Sequence, residues 1–481
     1  MTSTALHTDA AATDEDARPV NPATLEPLGH VPATSDAELD ELARRAQAAL
    51  KGGWSTDSRL RAEVLHAWAQ SLTAHSGELV AALVAETGKP VTEARIEVRG
   101  SVDALLYNSG LARYLGGRAG TLPDGNVAHL VREPVGVTTF IVPWNWPALL
   151  LLRDLAPALA AGVTALVKPA PQTTLVTERV LALGREAGVP ADVLHLVVGG
   201  ARTGHAAISH PAVRAVAFTG STHVGTQIMR SAAEGMKRPL LELGGKGASV
   251  VFADADLDAA VAAAVAAAVI TAGQMCMACT RVLVDRRVYA EVLERMAAGV
   301  RALRVGDPVD DATQVGPLIS PAAGERVAAQ LAAAASHVRI VAGGQRMQVD
   351  GLAGYFLSPT VVTDLAPDSP LVQEDLFAPV VTVEAFDDEA QAVRLANATP
   401  YGLAAGVWTS DVGRAWRVAR AIEAGTVWVN GWNKSYPEMP SGGYKSSGMG
   451  RTRGVEGIEQ FTDLKHIHFS VPPVAEEGSR S

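Results

Sequence analysis

The feature that most narrows the fold is a repeated alternation of short β-branched runs and helical patterns, joined by brief turns, from residue 135 onward. Runs at 135–142, 164–168, 193–198 and 215–219 read as strands, while 174–187, 203–210 and a segment from His223 read as helices. Parallel neighbours in a sheet need a crossover, and a helix is the usual one, so this order predicts a parallel doubly wound sheet. A second series begins near Ala248 and runs through 281–284, 360–362, 380–385, 404–409 and 426–430, which predicts a second α/β unit. Helical patterns precede the first unit at 36–52, with Ser35 as N-cap, at 58–87, and from 90 to about 115. Residues 129–131 read as a strand set apart from 135–142 by Arg132-Glu133-Pro134, and 465–471 closes the chain as a short alternating strand.

A chain of 481 residues exceeds a single core, since domains hold roughly 100–200 residues. With 41 Lys and Arg against 51 Asp and Glu the net charge is −10, and no basic tract occurs, so a nucleic-acid partner is not expected. The two cysteines, Cys276 and Cys279, cannot staple a secreted scaffold of this size. The first residues carry neither a basic nor an apolar signal region. Residues 257–272 are the most membrane-like stretch, yet they are Ala-rich, include Asp258 and fall short of the roughly 20 residues a span needs. They read as a packed helix, and the protein is expected in the cytoplasm with no membrane partner. Residues 1–16 are expected to be a disordered tail, and 474–481 a charged, Gly/Ser-containing tail.

Four stretches are odd under a purely structural reading. Val142-Pro143-Trp144-Asn145-Trp146-Pro147 places two prolines and two tryptophans around one amide at a strand end. A tight turn with Pro147 near the start of a helix accounts for part of it. Ala217-Phe218-Thr219-Gly220-Ser221-Thr222 joins a strand, a small-residue turn and a helix N-terminus, which is a cradle for phosphate. Gly200 and Gly204 lie where a cofactor could approach the backbone closely. In Leu241-Glu242-Leu243-Gly244-Gly245 a carboxylate sits among leucines, which raises its pKa toward that of a general base, unless it reaches solvent at a strand edge. Gly273-Gln274-Met275-Cys276 presents a thiol beyond a helix; a thiol of lowered pKa is the strongest side-chain nucleophile near neutrality. The spacing to Cys279 also allows a redox dithiol, or an inert buried cysteine. A metal site would need His ligands that are not nearby, so no metal is expected.

Together these stretches resemble the aldehyde dehydrogenase superfamily over residues 20–471, in the family's order. Leu166-Val167-Lys168-Pro169-Ala170 is similar to its adenosine-binding strand, Glu374-Asp375-Leu376-Phe377 to its nicotinamide-ribose motif, and Gly442-Gly443-Tyr444-Lys445 to its C-terminal signature. The resemblance implies two doubly wound parallel-sheet domains and a small bridging strand unit. It assigns 17–116 and 135–245 to a nucleotide-binding domain, 246–445 to a catalytic domain, and 117–134 with 459–473 to oligomerisation strands. It implies a homodimer or homotetramer, a small-molecule aldehyde as substrate, and NAD+ or NADP+ as cofactor. By the same resemblance Cys276 attacks the aldehyde, Asn145 and the Cys276 N–H hold the oxyanion, and Glu242 activates the water that releases the acid. Trp144, Lys168, Gly200, Gly204, Ser221, Asp375 and Phe377 would hold the cofactor.

Departures from the family pattern matter. Pro171 stands where strictly NAD-dependent relatives commonly carry a ribose-gripping Glu, so NADP+ is expected to be accepted. Asp154 and Thr452 replace a Lys and a Glu proposed to relay protons, so proton exit needs another route. Asp375 and Ala378 replace the usual Glu and Gly. On the helix from Pro147, Trp146, Leu150 and Arg153 fall on one face, and Arg153 with Ser435 matches substrate contacts of succinate-semialdehyde dehydrogenases. Ile270 replaces the second Arg of those enzymes, and the loop holding Trp432, Tyr436 and Pro437 looks more like amino-aldehyde or betaine-aldehyde relatives. The expectation is a carboxylate-bearing aldehyde bound by Arg153, with an apolar tunnel and a structural Arg153 ion pair as the alternative. A non-catalytic relative is disfavoured by the presence of Cys276, Glu242 and Asn145, and a CoA-acylating enzyme by the presence of Glu242.

Overall fold

A computed structural model describes residues 16–471, so the expected tails lie outside the described residues except for Asp16. The first sheet has six strands in the order Gly448–Met449, Arg238–Glu242, Val213–Thr219, Val137–Val142, Thr164–Pro169 and Leu194–Leu196. All neighbours are parallel except Gly448–Met449, which closes one edge antiparallel to Arg238–Glu242. The second sheet has seven strands, and only its edge strand Arg339–Ala342 runs antiparallel. Val137–Val142 is buried along nearly its whole length and Thr164–Pro169 throughout, as expected for strands covered by helices on both faces.

Two readings of the local pattern are corrected. The helix expected over 58–87 is two helices, Ser58–Ala74 and Ser76–Thr87, divided at His75, which holds a non-helical φ of −101° and ψ of 18°. Arg132-Glu133-Pro134 does not interrupt a strand: Val127–Pro134 is continuous and pairs antiparallel with Thr462–Phe469 residue by residue. Pro134 is tolerated because it ends the ladder, where no further N–H is required. Arg118–Thr121 completes this small sheet, leaving Thr462–Phe469 as an open edge.

Helix starts follow the side chains that satisfy their first N–H groups. Ser35 and Glu38 form a reciprocal capping box at Asp36–Ala49. Pro147 opens Pro147–Ala161, where its missing N–H costs nothing. The Ala-rich segment forms Leu257–Val269, capped by Asp256, with one face packed in the second core. Among the described residues no helix is long and apolar enough to cross a membrane.

Candidate active site

The first sheet begins at its centre. From Val137–Val142 the chain moves outward to Thr164–Pro169 and Leu194–Leu196, then returns on the other side with Val213–Thr219 and Arg238–Glu242. That reversal leaves a crevice beyond the carboxyl ends of Val137–Val142 and Val213–Thr219, the place where open α/β sheets bind ligands. A cleft of about 560 Å³ there is lined by Trp144, Thr219, Ser221, Gly244, Asp375 and Phe377, among others. A cavity of about 320 Å³ is lined by Trp146, Leu150, Arg153, Glu242, Ser435 and Arg453, among others. Asn145 and Cys276 line both.

Strained backbone delivers the thiol. After Leu257–Val269 the chain takes left-handed φ at Thr271 (50°), Ala272 (52°) and Gly273 (72°). Such conformations cost about 1–3 kcal/mol for a non-glycine residue and persist only where the surroundings hold them. Glu93 does so, its carboxylate accepting from Thr271 N at 3.0 and 2.9 Å and from Thr271 Oγ1 at 2.8 Å. A Cβ on Gly273 would lie 2.2 Å from the Ala378 carbonyl, and one on Gly245 would lie 2.3 Å from Cys276 O. Gly245 is thus where the connection after Glu242 presses against the nucleophile loop.

Cys276 is half-buried, and burial, then the nearby Glu242 charge, push its thiol up to about 12, with Arg153 opposing. The expectation of a lowered thiol pKa is therefore corrected: a thiol withdrawn from water near a carboxylate keeps its proton. That proton must leave as the sulfur attacks. Glu242 shares the cavity and is itself pushed up to about 7, burial outweighing the attraction of Arg153. Its Oε1 has no partner among the described residues and its Oε2 lies 3.8 Å from Arg153 Nη1. Cys279 is fully buried on the strand Cys279–Asp285, its thiol donating to Arg281 O at 3.6 Å. It lines neither cavity.

Arg153 lies on the cavity wall beside Trp146 and Leu150, but its expected bidentate grip on a substrate is taken. Nε and Nη2 donate to the two oxygens of Asp154 at 2.8 Å each, and Nη2 also donates to Thr219 Oγ1 at 2.7 Å. Thr452 is buried with its hydroxyl on Ser441 O. The Trp432 ring packs into the second core against Gly247 and Gly406, and its Nε1 donates to Met277 O at 3.0 Å. Pro437 and Ser435 remain on the cavity wall, and Tyr436 points to solvent.

Asn145 is fixed at both ends. Its Nδ2 donates to Gln274 O at 2.9 Å, and its carbonyl accepts from Lys89 Nζ at 2.7 Å. The Lys89 ammonium also sits 4.1 Å from the Trp146 ring centroid and pairs with Glu97, both side chains being wholly buried. Glu97 Oε1 accepts from Ala148 N at 2.8 Å and Leu149 N at 3.2 Å, in the first turn of Pro147–Ala161. A carboxylate is favoured at a helix N-terminus. One helix, Val91–Leu111, therefore fastens both loops through Glu93 and Glu97, one turn apart. Lys89→Met is expected to destabilise the fold by about 3–5 kcal/mol by stranding a buried charge, and to slow turnover at temperatures where the variant remains folded. Thermal denaturation and initial rates check both, and an unchanged melting temperature would contradict the account.

The cleft fits a dinucleotide. Ser221 caps Thr222–Glu234, its Oγ accepting from Val224 N at 3.3 Å, and a helix N-terminus of this kind suits a phosphate. Trp144 meets Phe377 edge to face at 5.5 Å. Asp375 accepts from Gly245 N at 3.3 Å and from Phe377 N at 3.2 Å. One strand further along, Lys168 ends Thr164–Pro169 with its Nζ bonded to Pro169 O at 3.2 Å, and burial pulls its pKa down to about 8. Gly204 leaves room beside it, a Cβ there lying 3.4 Å from Lys168 Cδ, and Gly200 precedes the helix Ala201–Ser209. Pro171 starts a short 3-10 turn and brings no carboxylate.

Sequence reasoning missed Arg326 on the cleft wall and both Arg453 and Asp103 on the cavity wall. Arg453 adjoins Thr452 in sequence, and the change at that neighbour was the available signal.

The model of the aldehyde dehydrogenase family matches residues 8–467. A Sinorhizobium fredii protein named as a succinate-semialdehyde dehydrogenase [NADP(+)] is 39% identical, over 93% of this chain and 91% of its own length. A betaine aldehyde dehydrogenase of Vibrio vulnificus is 37% identical over 95% of this chain and 94% of its own. The crystal structure of a Staphylococcus aureus betaine aldehyde dehydrogenase with NAD+ superposes with a TM-score of 0.92 at 34% identity, covering 97% of this chain and 96% of that one.

Proposed function

The chain belongs to the aldehyde dehydrogenase family, and on that premise we propose that the residues shared by the two cavities carry its chemistry. The enzyme oxidises an aldehyde with NAD(P)+. The carrying observation is that Asn145 and Cys276 line both the cleft and the cavity. A reacting carbon held there can touch the thiol from one side and the cofactor from the other.

Cys276 Sγ bonds to the aldehyde carbon as the thiol proton passes to water, which leaves Glu242 ionised for the second half of the reaction. The Asn145 amide, with the Cys276 N–H, stabilises the oxyanion; a donor of this kind is worth about 3–4 kcal/mol. When bound, the nicotinamide supplies the hydride acceptor, which leaves the substrate as a thioester on Cys276. Glu242 then takes a proton from water, whose oxygen attacks the acyl carbon and releases the acid and the thiol. Arg153, Asp154 and Arg453 are the charged groups beside Glu242 as it hands its proton on. The first sheet would hold the dinucleotide and the second would carry Cys276.

Self-association is part of the same reading. Thr462–Phe469 is an open edge, with Leu464, Phe469 and the following Val471 more than half exposed. Such an edge favours pairing with a second copy. A reactive thiol without a disulfide partner fits the reducing cytoplasm.

The experiment is an initial-rate screen of aldehydes with both NAD+ and NADP+. Because Pro171 neither grips a ribose hydroxyl nor repels a 2′-phosphate, and Lys168 lies beside it, NADP+ is expected to be accepted along with NAD+. A preference for NAD+ above about a thousandfold in kcat/KM, near 4 kcal/mol, would reject that reading.

A further inference from the structure

We propose that Arg453 anchors a carboxylate at the far end of the aldehyde substrate, an inference that rests on the family reading above. Two arginines line the substrate cavity, and they are in opposite states. Arg153 is saturated by Asp154, Thr219 and Glu242. Arg453 is half-buried and has no hydrogen bond or ion pair from its guanidinium among the described residues. A partly desolvated charge without a partner is costly, and burial pulls its pKa down to about 10. An anionic ligand removes that cost.

Its neighbours do not. Asp103 shares the cavity wall and attracts Arg453, but it is exposed and makes no hydrogen bond or ion pair with it among the described residues. Glu242 and Asp154 also act on Arg453, but both already face Arg153.

The backbone holds Arg453 in a specific conformation. It has a left-handed φ of 63°, uncommon for a long side chain. Neighbouring bonds impose it: Thr452 N and Ser441 N each donate to the other's carbonyl at 2.8 Å, Gly454 N to Pro437 O at 2.8 Å, and Gly457 N to Arg453 O at 2.7 Å. Strain kept in this way collects at functional sites. A guanidinium fork matches a carboxylate in two parallel hydrogen bonds, and Leu149, Leu150 and Met275 in the same cavity lining suit a short methylene chain.

The test compares succinic semialdehyde with butyraldehyde in wild type, Arg453→Leu and Arg453→Lys. Wild type is expected to favour the carboxylate aldehyde. Arg453→Leu should lower kcat/KM for it by at least about 30-fold, chiefly through KM, the scale of losing one side of a desolvated charge pair. Butyraldehyde should stay within about threefold, and Arg453→Lys should recover part of the loss. Equal losses on both aldehydes would mean that Arg453 acts on Glu242 or on the fold, and would overturn the proposal. So would a wild type with no preference, a result that needs no variant to fold. Failure of wild type to oxidise any aldehyde with either cofactor would instead overturn the family reading.

Discussion

Cys276→Ala is expected to abolish dehydrogenase turnover while leaving cofactor binding intact. The thiol forms the covalent bond on which both halves of the reaction depend, and loss of such a nucleophile costs on the order of 10⁴–10⁶ in kcat. Cys276 lines the dinucleotide cleft, but the candidate phosphate and ribose contacts lie elsewhere, at Ser221, Asp375 and Phe377. Titration of NAD+ by tryptophan fluorescence should therefore match wild type. Cys279→Ala should keep most of the turnover, because that side chain is sealed in the second core. An active Cys276→Ala protein, or a dead and folded Cys279→Ala protein, would remove the assignment.

Glu242→Gln should separate the two halves of the reaction. The amide cannot take a proton from water, so release of the acyl group slows by about 10²–10⁴-fold. A burst of at most one NAD(P)H per site should then precede slow turnover. The pH dependence follows from the carboxyl being pushed up to about 7. The base works in its ionised form, so deacylation in wild type rises as pH passes through about 7 and levels off above it. In the Gln variant that rise should be absent. A burst-free variant with wild-type steady-state rates would take Glu242 out of the mechanism.

How far the sequence alone could lead depended on how local the cause was. The strand–helix alternation from residue 135 is a matter of neighbouring residues, and it predicts the buried parallel strands that the first sheet contains. The break at His75 was hidden because the apolar pattern continues through it. Gly448–Met449 was hidden because two residues carry no periodicity, and only the partner strand Arg238–Glu242 makes them a sheet edge.

At the site, residue types and motif order pointed to Cys276, Glu242 and Asn145, but their electrostatics could not be read. The thiol is pushed up, not down, by burial and then by Glu242, which lies 34 positions earlier in the chain and lines the same cavity. Arg153 looked available on its helical face, and its engagement by Asp154 depends on the side-chain conformation of the very next residue. Arg453 gave no signal of its own. Its exposure to the cavity depends on a left-handed turn fastened by Pro437 and Ser441. The Lys89–Glu97 pair behind Asn145 likewise joins segments that sequence spacing does not connect.

The most direct test of the central claim is to look for the covalent intermediate itself. Glu242→Gln enzyme would be mixed with an oxidisable aldehyde and NAD(P)+, quenched in acid during slow turnover, digested and fragmented by mass spectrometry. The account predicts a mass increase equal to the acyl group, located on Cys276 and absent when the cofactor is omitted. An acyl group on Cys279, or unmodified Cys276 in a variant that is turning over, would contradict it.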